Sequence, residues 1–365
     1  MRRAKIIYNM KLFFDARFIR TDFHDGVSRY STELGNALAK LTKVTFIICD
    51  EKQLNFLPKK AKFILIHSPV SVKEPFTSLI LNKYNPDIVF SPMQVMGTVG
   101  RKFKLILTSH DMIFYHYNVA PIGQPFLLRV GWKAYHATKV PERIALNGAD
   151  LVATVSKAMR AEFEDAKLTK RPIIVVPNAP QNLSKLTKKQ PAGLKPRNLI
   201  YMGSLMEYKN VETLIKGMQY LPGYTLHILS KSTLERSDEL KALVPEKGNV
   251  IFYNGVTDER YAELLSNRAA LVSGSLAEGF GVPAVEALSM GVPAVLSDIP
   301  VFHEVAGNGA LYFSSLDAKD FARKVKELDN KSTRDQLIHN GKKHAATFTW
   351  KNSAKTLLTA IKSLV

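Results

Sequence analysis

Glu278 and Glu286 stand eight residues apart in the segment AEGFGVPAVEAL. A short apolar run ends near Ser273, passes into a turn carrying Gly279 and Gly281, and leads into a helical stretch. A strand-to-helix corner of this kind presents backbone N–H groups and the positive end of a helix to an anion. Gly279 and Gly281 allow a ligand close to the backbone. Two carboxylates at such a corner can accept hydrogen bonds from vicinal hydroxyls of two different sugars. They can equally be a helix cap (Glu278) and a solvated helix residue (Glu286), and the spacing alone leaves both readings open. His110 ends an apolar run just before Asp111; by itself it reads as a structural histidine with its hydrogen bonds satisfied. The other histidines form no metal-ligand spacing, and no DxD-like acidic pair lies in a suitable loop, so the residues imply no catalytic metal.

These residues need elements to position them. In the first half the expected strands are 5–8 running on toward 14, 44–49, 63–67, 87–91, 105–109, 151–155 and 173–176. In the second half they are 199–202, 225–229, 250–253, 270–273, 293–297 and 310–313. Short apolar runs spaced by helical stretches predict parallel sheets covered on both faces. The expected fold class is therefore α/β, with two doubly wound, Rossmann-like domains. Ligands should gather at the carboxyl ends of the strands, in a crevice between the domains. Expected helices include 27–41, 211–218 and 283–290. A last helix over 352–364 carries Ala354, Leu357, Leu358, Ile361 and Leu364 on one side. Residues 181–197 read QNLSKLTKKQPAGLKPR, without periodicity, and predict a linker. The expected organisation is thus a domain over 1–180, a linker over 181–197, a domain over 198–348, and a C-terminal helix over 349–365 whose apolar stripe needs a partner.

The chain has 365 residues and a formal net charge of +19. Residues 1–190 hold 30 Lys and Arg against 14 Asp and Glu, or +16; residues 191–365 hold 21 against 18, or +3. A one-sided positive field draws anionic partners such as phosphorylated substrates, anionic lipid or nucleic acid. Two basic–aromatic segments stand out in the first half. Phe56 to Phe63 carries Lys59, Lys60 and Lys62; FLLRVGWKAYHATK carries Arg129, Lys133 and Lys139 around Phe126 and Trp132. Both suit a face resting on anionic lipid, or an ordinary helix that buries its apolar side. No nucleic-acid recognition fold or base-stacking platform is visible, so nucleic acid is not an expected partner. The single cysteine, Cys49, excludes an intrachain disulfide. No run of 18 apolar residues exists, and Lys11 breaks the first apolar run too early for a secretory signal. A cytoplasmic protein, peripheral at the inner face of the membrane, is the expectation.

Glu278 and Glu286 with their surroundings, AEGFGVPAVEALSMGVPAVLSDIPVFHEVAGNGALYF, resemble the E-x7-E signature of the retaining glycosyltransferases of family 4, which have the GT-B fold. Further matches run along the whole chain: Gly26-Val27-Ser28-Arg29-Tyr30, His110-Asp111, Val155-Ser156, Val176-Pro177-Asn178, and Gly203 with Lys209-Asn210. The resemblance implies a role for each matched residue. Glu278 would bind the donor sugar hydroxyls, assisted by the N–H groups of Gly279 and Phe280, with Gly281 and Val282 opening the helix. Glu286 would accept hydrogen bonds from the nucleotide ribose. Lys209 would neutralise the diphosphate, and Gly26 would let backbone N–H groups reach the distal phosphate. His110 would lie near the sugar, and Asn254, Gly255 and Val256 would flank the base. After Gly203 this chain has Ser204 where many relatives have arginine, so one diphosphate cation is missing or comes from elsewhere.

The resemblance further implies a hexose moved from a nucleotide diphosphate sugar to a hydroxyl of a glycan or glycolipid, with retention of configuration and no cofactor. The first domain would take the acceptor and the second the donor, and the last helix would return to the first domain. Pro-Val-Phe-His-Glu resembles mannosyl- and rhamnosyl-transferring members, and mannose from GDP-mannose is the favoured donor. The alternatives are a UDP-sugar-dependent glucosyl or N-acetylhexosaminyl transferase, or a non-catalytic GT-B-like binding protein.

Overall fold

The structure is a computed structural model and describes residues 10–117, 126–187 and 194–365. It divides into two compact units, one of residues 1–178 with 349–365 and one of residues 179–348. In the first unit seven strands are joined in parallel. They are β1 (Leu12–Asp15), β2 (Val44–Ile48), β3 (Lys62–Leu65), β4 (Ile88–Ser91), β5 (Lys104–Thr108), β6 (Leu151–Thr154) and β7 (Ile173–Val175), in the order β3-β2-β1-β4-β5-β6-β7. The part of the first expected strand at 5–8 lies outside the described residues. Register is set by apolar pairs such as Leu12 opposite both Val44 and Ile88. These central strands are buried on both faces, which is why they read as continuous apolar runs rather than alternating ones.

The helices of this unit are α1 (Gly26–Ala39), α2 (Thr77–Asn82), α3 (Ile113–His116), α4 (Phe126–His136), α5 (Val140–Asn147) and α6 (Lys157–Asp165). In the second unit six parallel strands run in the order β10-β9-β8-β11-β12-β13. They are β8 (Asn198–Tyr201), β9 (Thr225–Ile228), β10 (Val250–Phe252), β11 (Ala269–Ser273), β12 (Ala294–Ser297) and β13 (Ala310–Phe313). Its helices are α7 (Val211–Gly217), α8 (Leu234–Ala242), α9 (Asp258–Leu265), α10 (Val282–Met290), α11 (Pro300–Ala306), α12 (Ala318–Glu327) and α13 (Lys331–Ala345). Both sheets reverse winding at their centre, between β1 and β4 and between β8 and β11. Those two switch points are where a doubly wound sheet opens a crevice at its carboxyl edge.

The last helix, α14 (Trp350–Leu364), belongs to the first unit and lies against α1. Ala354, Leu357, Leu358 and Ile361 are buried. Trp350 meets the ring of Tyr30 at 5.8 Å, and Ser353 donates to the Pro177 carbonyl at 2.7 Å. Within the lysine-rich stretch, residues 181–187 and 194–197 are described; Leu183 is buried against the helices of the second unit, whereas Leu194 is exposed. No helix among the described residues is long and apolar enough to cross a membrane.

Candidate active site

In the second unit the candidate residues converge on the carboxyl edge of the sheet. Lys209 ends a short 3-10 turn, and Glu278 sits on the loop between β11 and α10. The Lys209 ammonium meets Glu278 Oε1 at 2.6 Å, and both side chains are largely shielded from solvent. Ser275 Oγ donates to the same oxygen at 2.8 Å. The lysine is also 5.2 Å from the Tyr208 ring centroid. Asn210 explains why Lys209 is held here. It adopts a left-handed backbone, φ 48°, which asparagine tolerates better than most residues. Its side-chain amide donates to the carbonyls of Gly274 and Ser315, and its carbonyl accepts from Thr213. A Cβ at Gly274 would come within 2.7 Å of the Asn210 carbonyl, so the approach of the two loops requires glycine there.

Glu278 is therefore an ion-pair partner, not the cap of α10: that helix is capped by Gly281, with no side-chain cap. Gly281 has φ +82°, and a Cβ on it would meet Phe302 at 2.8 Å. Glu286 is not a solvated helix residue either, being only 4% exposed on α10. The backbone N–H of Gln181 donates to its Oε1 at 3.4 Å, and the Gln181 side chain donates to Asp258 at 3.0 Å. Gln181 was not distinguishable in the sequence from its lysine-rich surroundings.

Gly203 and Ser204 follow β8, where the Tyr201 hydroxyl donates to the Ser204 carbonyl. Burial, then the charge of Glu278, raises the Tyr201 pKa well above the usual phenol value, so it is a donor at neutral pH. Arg236 donates to the neighbouring Leu205 carbonyl at 2.8 Å, but Glu212 and Glu239 both claim its guanidinium. Asn254 and Gly255 turn the chain after β10 with φ of 53° and 96°. Asn254 Oδ1 accepts from the Ser232 N–H, and the stem of Lys231 lies over Gly255. Val256 follows in the same loop.

Gly26 and His110 belong to the first unit. Asp25 caps α1, its carboxylate accepting from the Ser28 N–H at 2.8 Å. Among the described residues, apart from its own helix and chain neighbours, nothing lies within 4 Å of where a Cβ on Gly26 would sit, so packing does not require glycine at that position. His110 directs Nε2 at the Pro92 carbonyl, 2.7 Å away, and packs edge-on to Tyr30 at 5.0 Å. A carbonyl only accepts, so the neutral ring carries its proton on Nε2 and leaves Nδ1 as an acceptor. Behind it, the Ser109 hydroxyl donates to the buried Glu142 at 2.7 Å. At the end of β1, Arg17 is enclosed between Asp15 and Glu74, with bonds of 2.8 Å to each Asp15 oxygen and of 2.7 and 3.0 Å to Glu74. Burial alone would lower the guanidinium pKa, and the two carboxylates outweigh it and raise it.

Burial lowers the pKa of His110, with the Pro92 bond and the charge of Asp25 opposing. Burial, then the charge of Arg260, lowers that of His227 on β9. Each ring is therefore protonated more readily in the unfolded chain, near pH 6.5, than in the fold. Unfolding takes up protons in that window, so stability should be full above about pH 6.5 and fall as pH drops below it. Urea midpoints at pH 7.5 and 5.5 measure this, and a His227→Gln variant should show a smaller drop than the wild type. Equal drops would remove His227 from the account.

Two units, each a parallel doubly wound sheet, are the architecture of the GT-B fold. The solved sucrose-phosphate synthase from Thermosynechococcus elongatus shares this fold, with a TM-score of 0.71 at 19% identity over 98% of this chain and 99% of that one. Two family models match along the sequence: Glycosyltransferase Family 4 over residues 24–179 and Glycosyl transferases group 1 over residues 184–344. The chain belongs to the family 4 glycosyltransferases and is an enzyme of that type. It is similar to the O-antigen chain mannosyltransferase RfbU of Salmonella typhimurium, at 26% identity over 322 residues, 83% of this chain and 87% of that protein. It also matches the serotype-specific mannosyltransferase WbdA of Escherichia coli at 36% identity over 115 residues, which is 31% of this chain and 14% of that much longer protein.

Proposed function

We propose that this glycosyltransferase moves mannose from GDP-mannose to a hydroxyl of a glycan or glycolipid acceptor, with retention of anomeric configuration. The observation that carries the reading is the Lys209–Glu278 pair beside the N-terminus of α10, with Glu286 buried on the same helix. Glu278 takes the hydroxyls of the donor sugar, helped by the N–H groups of Gly279 and Phe280. Glu286 takes the ribose, Lys209 the diphosphate, and the loop of Asn254 to Val256 the base. In the first unit Gly26 serves the distal phosphate and His110 the sugar, as the family resemblance implies, and that unit takes the acceptor. Charge building on the departing diphosphate is met by Lys209 and by helix N–H groups, the logic of preorganised electrostatic stabilisation. On this reading no cofactor is required. The similarity to RfbU and WbdA favours mannose over the UDP-sugar alternative.

A panel of nucleotide sugars, scored by donor hydrolysis and thermal shift, tests the donor. Response to UDP-glucose and not to GDP-mannose would replace the mannosyl reading, and response to none would favour a binding protein. Glu286→Ala should weaken donor binding by about 1.5–3 kcal/mol, roughly ten- to a hundredfold in Kd, with little change in melting temperature. Wild-type affinity in calorimetry would take Glu286 out of the site.

The basic half supports a peripheral place on anionic lipid. Lys59, Lys60, Lys62, Arg129 and Lys133 are exposed, and so are Val130, Val140 and Ile144. Trp132 instead packs on Phe114 and His136 at 4.9 and 4.3 Å, so it is not the inserting ring; the side chain of Phe126 lies outside the described residues. Each basic residue near such a surface contributes about 1 kcal/mol. Flotation should show more binding to anionic than to neutral vesicles at low salt, and equal binding to both would end the lipid reading.

A further inference from the structure

We propose that Ser275 is the positioning residue that keeps Glu278 in place when Lys209 turns to the donor phosphate; the proposal rests on the reading of Glu278 as the sugar-binding carboxylate. Glu278 Oε1 receives two donors, Lys209 Nζ and Ser275 Oγ, at 2.6 and 2.8 Å. Among the described residues no donor reaches Oε2. The carboxylate is thus gripped by one oxygen and offers the other. One ammonium cannot keep its full grip on this carboxylate and also neutralise a diphosphate. When it moves, a glutamate with three free torsions loses its strongest anchor, and the sugar hydroxyls lose a fixed acceptor.

Ser275 is built to take over. It is fully buried, and its own carbonyl accepts the hydroxyl of Ser297 from the end of β12. Its hydroxyl is 3.2 Å from that of Ser273 at the end of β11. The hydroxyl that holds Glu278 is therefore fastened to two strands of the sheet, whereas Lys209 holds it from the end of a flexible chain. A hydrogen bond to a charged acceptor in this setting is among the stronger ones a side chain makes. The serine also leaves the charge balance of the site unchanged, so it steadies the carboxylate without competing for the phosphate.

The test is Ser275→Ala beside Glu278→Gln in the full chain, with turnover of GDP-mannose, or of the sugar nucleotide that the donor panel selects, and with calorimetry of the matching free nucleoside diphosphate. Ser275→Ala should lower kcat about tenfold or more while the nucleoside diphosphate, which has no sugar, binds as to the wild type. Wild-type kcat would overturn the proposal. So would a parallel loss of nucleoside diphosphate affinity, because that is the mark of a loop that has lost its structure. Glu278→Gln separates the two levels. If it retains wild-type turnover, the reading of Glu278 falls; if it is inactive while Ser275→Ala is not, only the role of Ser275 falls.

Discussion

Replacing Arg17 by alanine is expected to destabilise the first unit by about 3–5 kcal/mol, a large share of the 5–15 kcal/mol by which a typical protein is folded. The guanidinium has no exposure, Asp15 has none, and Glu74 has little. Removing the cation leaves two carboxylates facing each other in a space that water does not hydrate. The same residue also anchors chain at a distance: it donates to the His67 carbonyl, and its own carbonyl accepts from Gln53. Replacing all three charged residues together by apolar ones of similar volume should cost less than the single change, because no unpaired charge is then buried. Urea unfolding of both variants gives the comparison. An Arg17→Ala midpoint close to wild type would show that water reaches the cluster.

Lys209→Ala is expected to lower kcat about a hundred- to a thousandfold, the usual loss when one preorganised group facing transition-state charge is deleted. The melting temperature should move little, since Ser275 still holds the partner carboxylate. The loss should persist at saturating donor, because the charge matters most once the diphosphate is leaving. Unchanged turnover would mean that another cation carries this work. Ser204 makes that outcome informative, for the family resemblance implies an arginine at this position, and the nearby Arg236 is already bound by two carboxylates.

Most strands were legible because a parallel strand buried on both faces is apolar at nearly every position; the first, expected from 5, is described only over 12–15, and the observed ends of the others fall within a residue or two of the expected ones. β8, for example, runs 198–201 against an expected 199–202. The corner holding Glu278 and Glu286 was legible for a different reason: its glycines and helix start are local. What joins Lys209 to Glu278 is not local. They are 69 residues apart in sequence and meet only because β8 and β11 are neighbours in the sheet. The Arg17 cluster was hidden in another way. In sequence Arg17 is one more charge in a basic half, and nothing in its neighbours tells that it is enclosed. Glu142 is the same case, an acidic residue of an ordinary-looking helix that is buried on Ser109. Gln181 shows a third limit, since a stretch rich in lysine and proline can still begin with residues that pack.

Because α14 belongs to the first unit, that unit is interrupted by the whole of the second, residues 179–348. On the ribosome the seven strands of the first sheet are made early, but the unit that contains them is not complete until the last helix emerges. At about 5–20 residues per second, the intervening 170 residues (348 − 178) take roughly 10–30 s. For that time α1 presents an uncovered surface around Tyr30 and Trp350 is not yet made, while the second unit, continuous in sequence, can fold at once. The nascent chain therefore passes through a stage with one finished body and one sticky, incomplete one. Chaperone dependence during synthesis should be set by this interval, and a circular permutant that joins the last helix directly to the first unit should escape it.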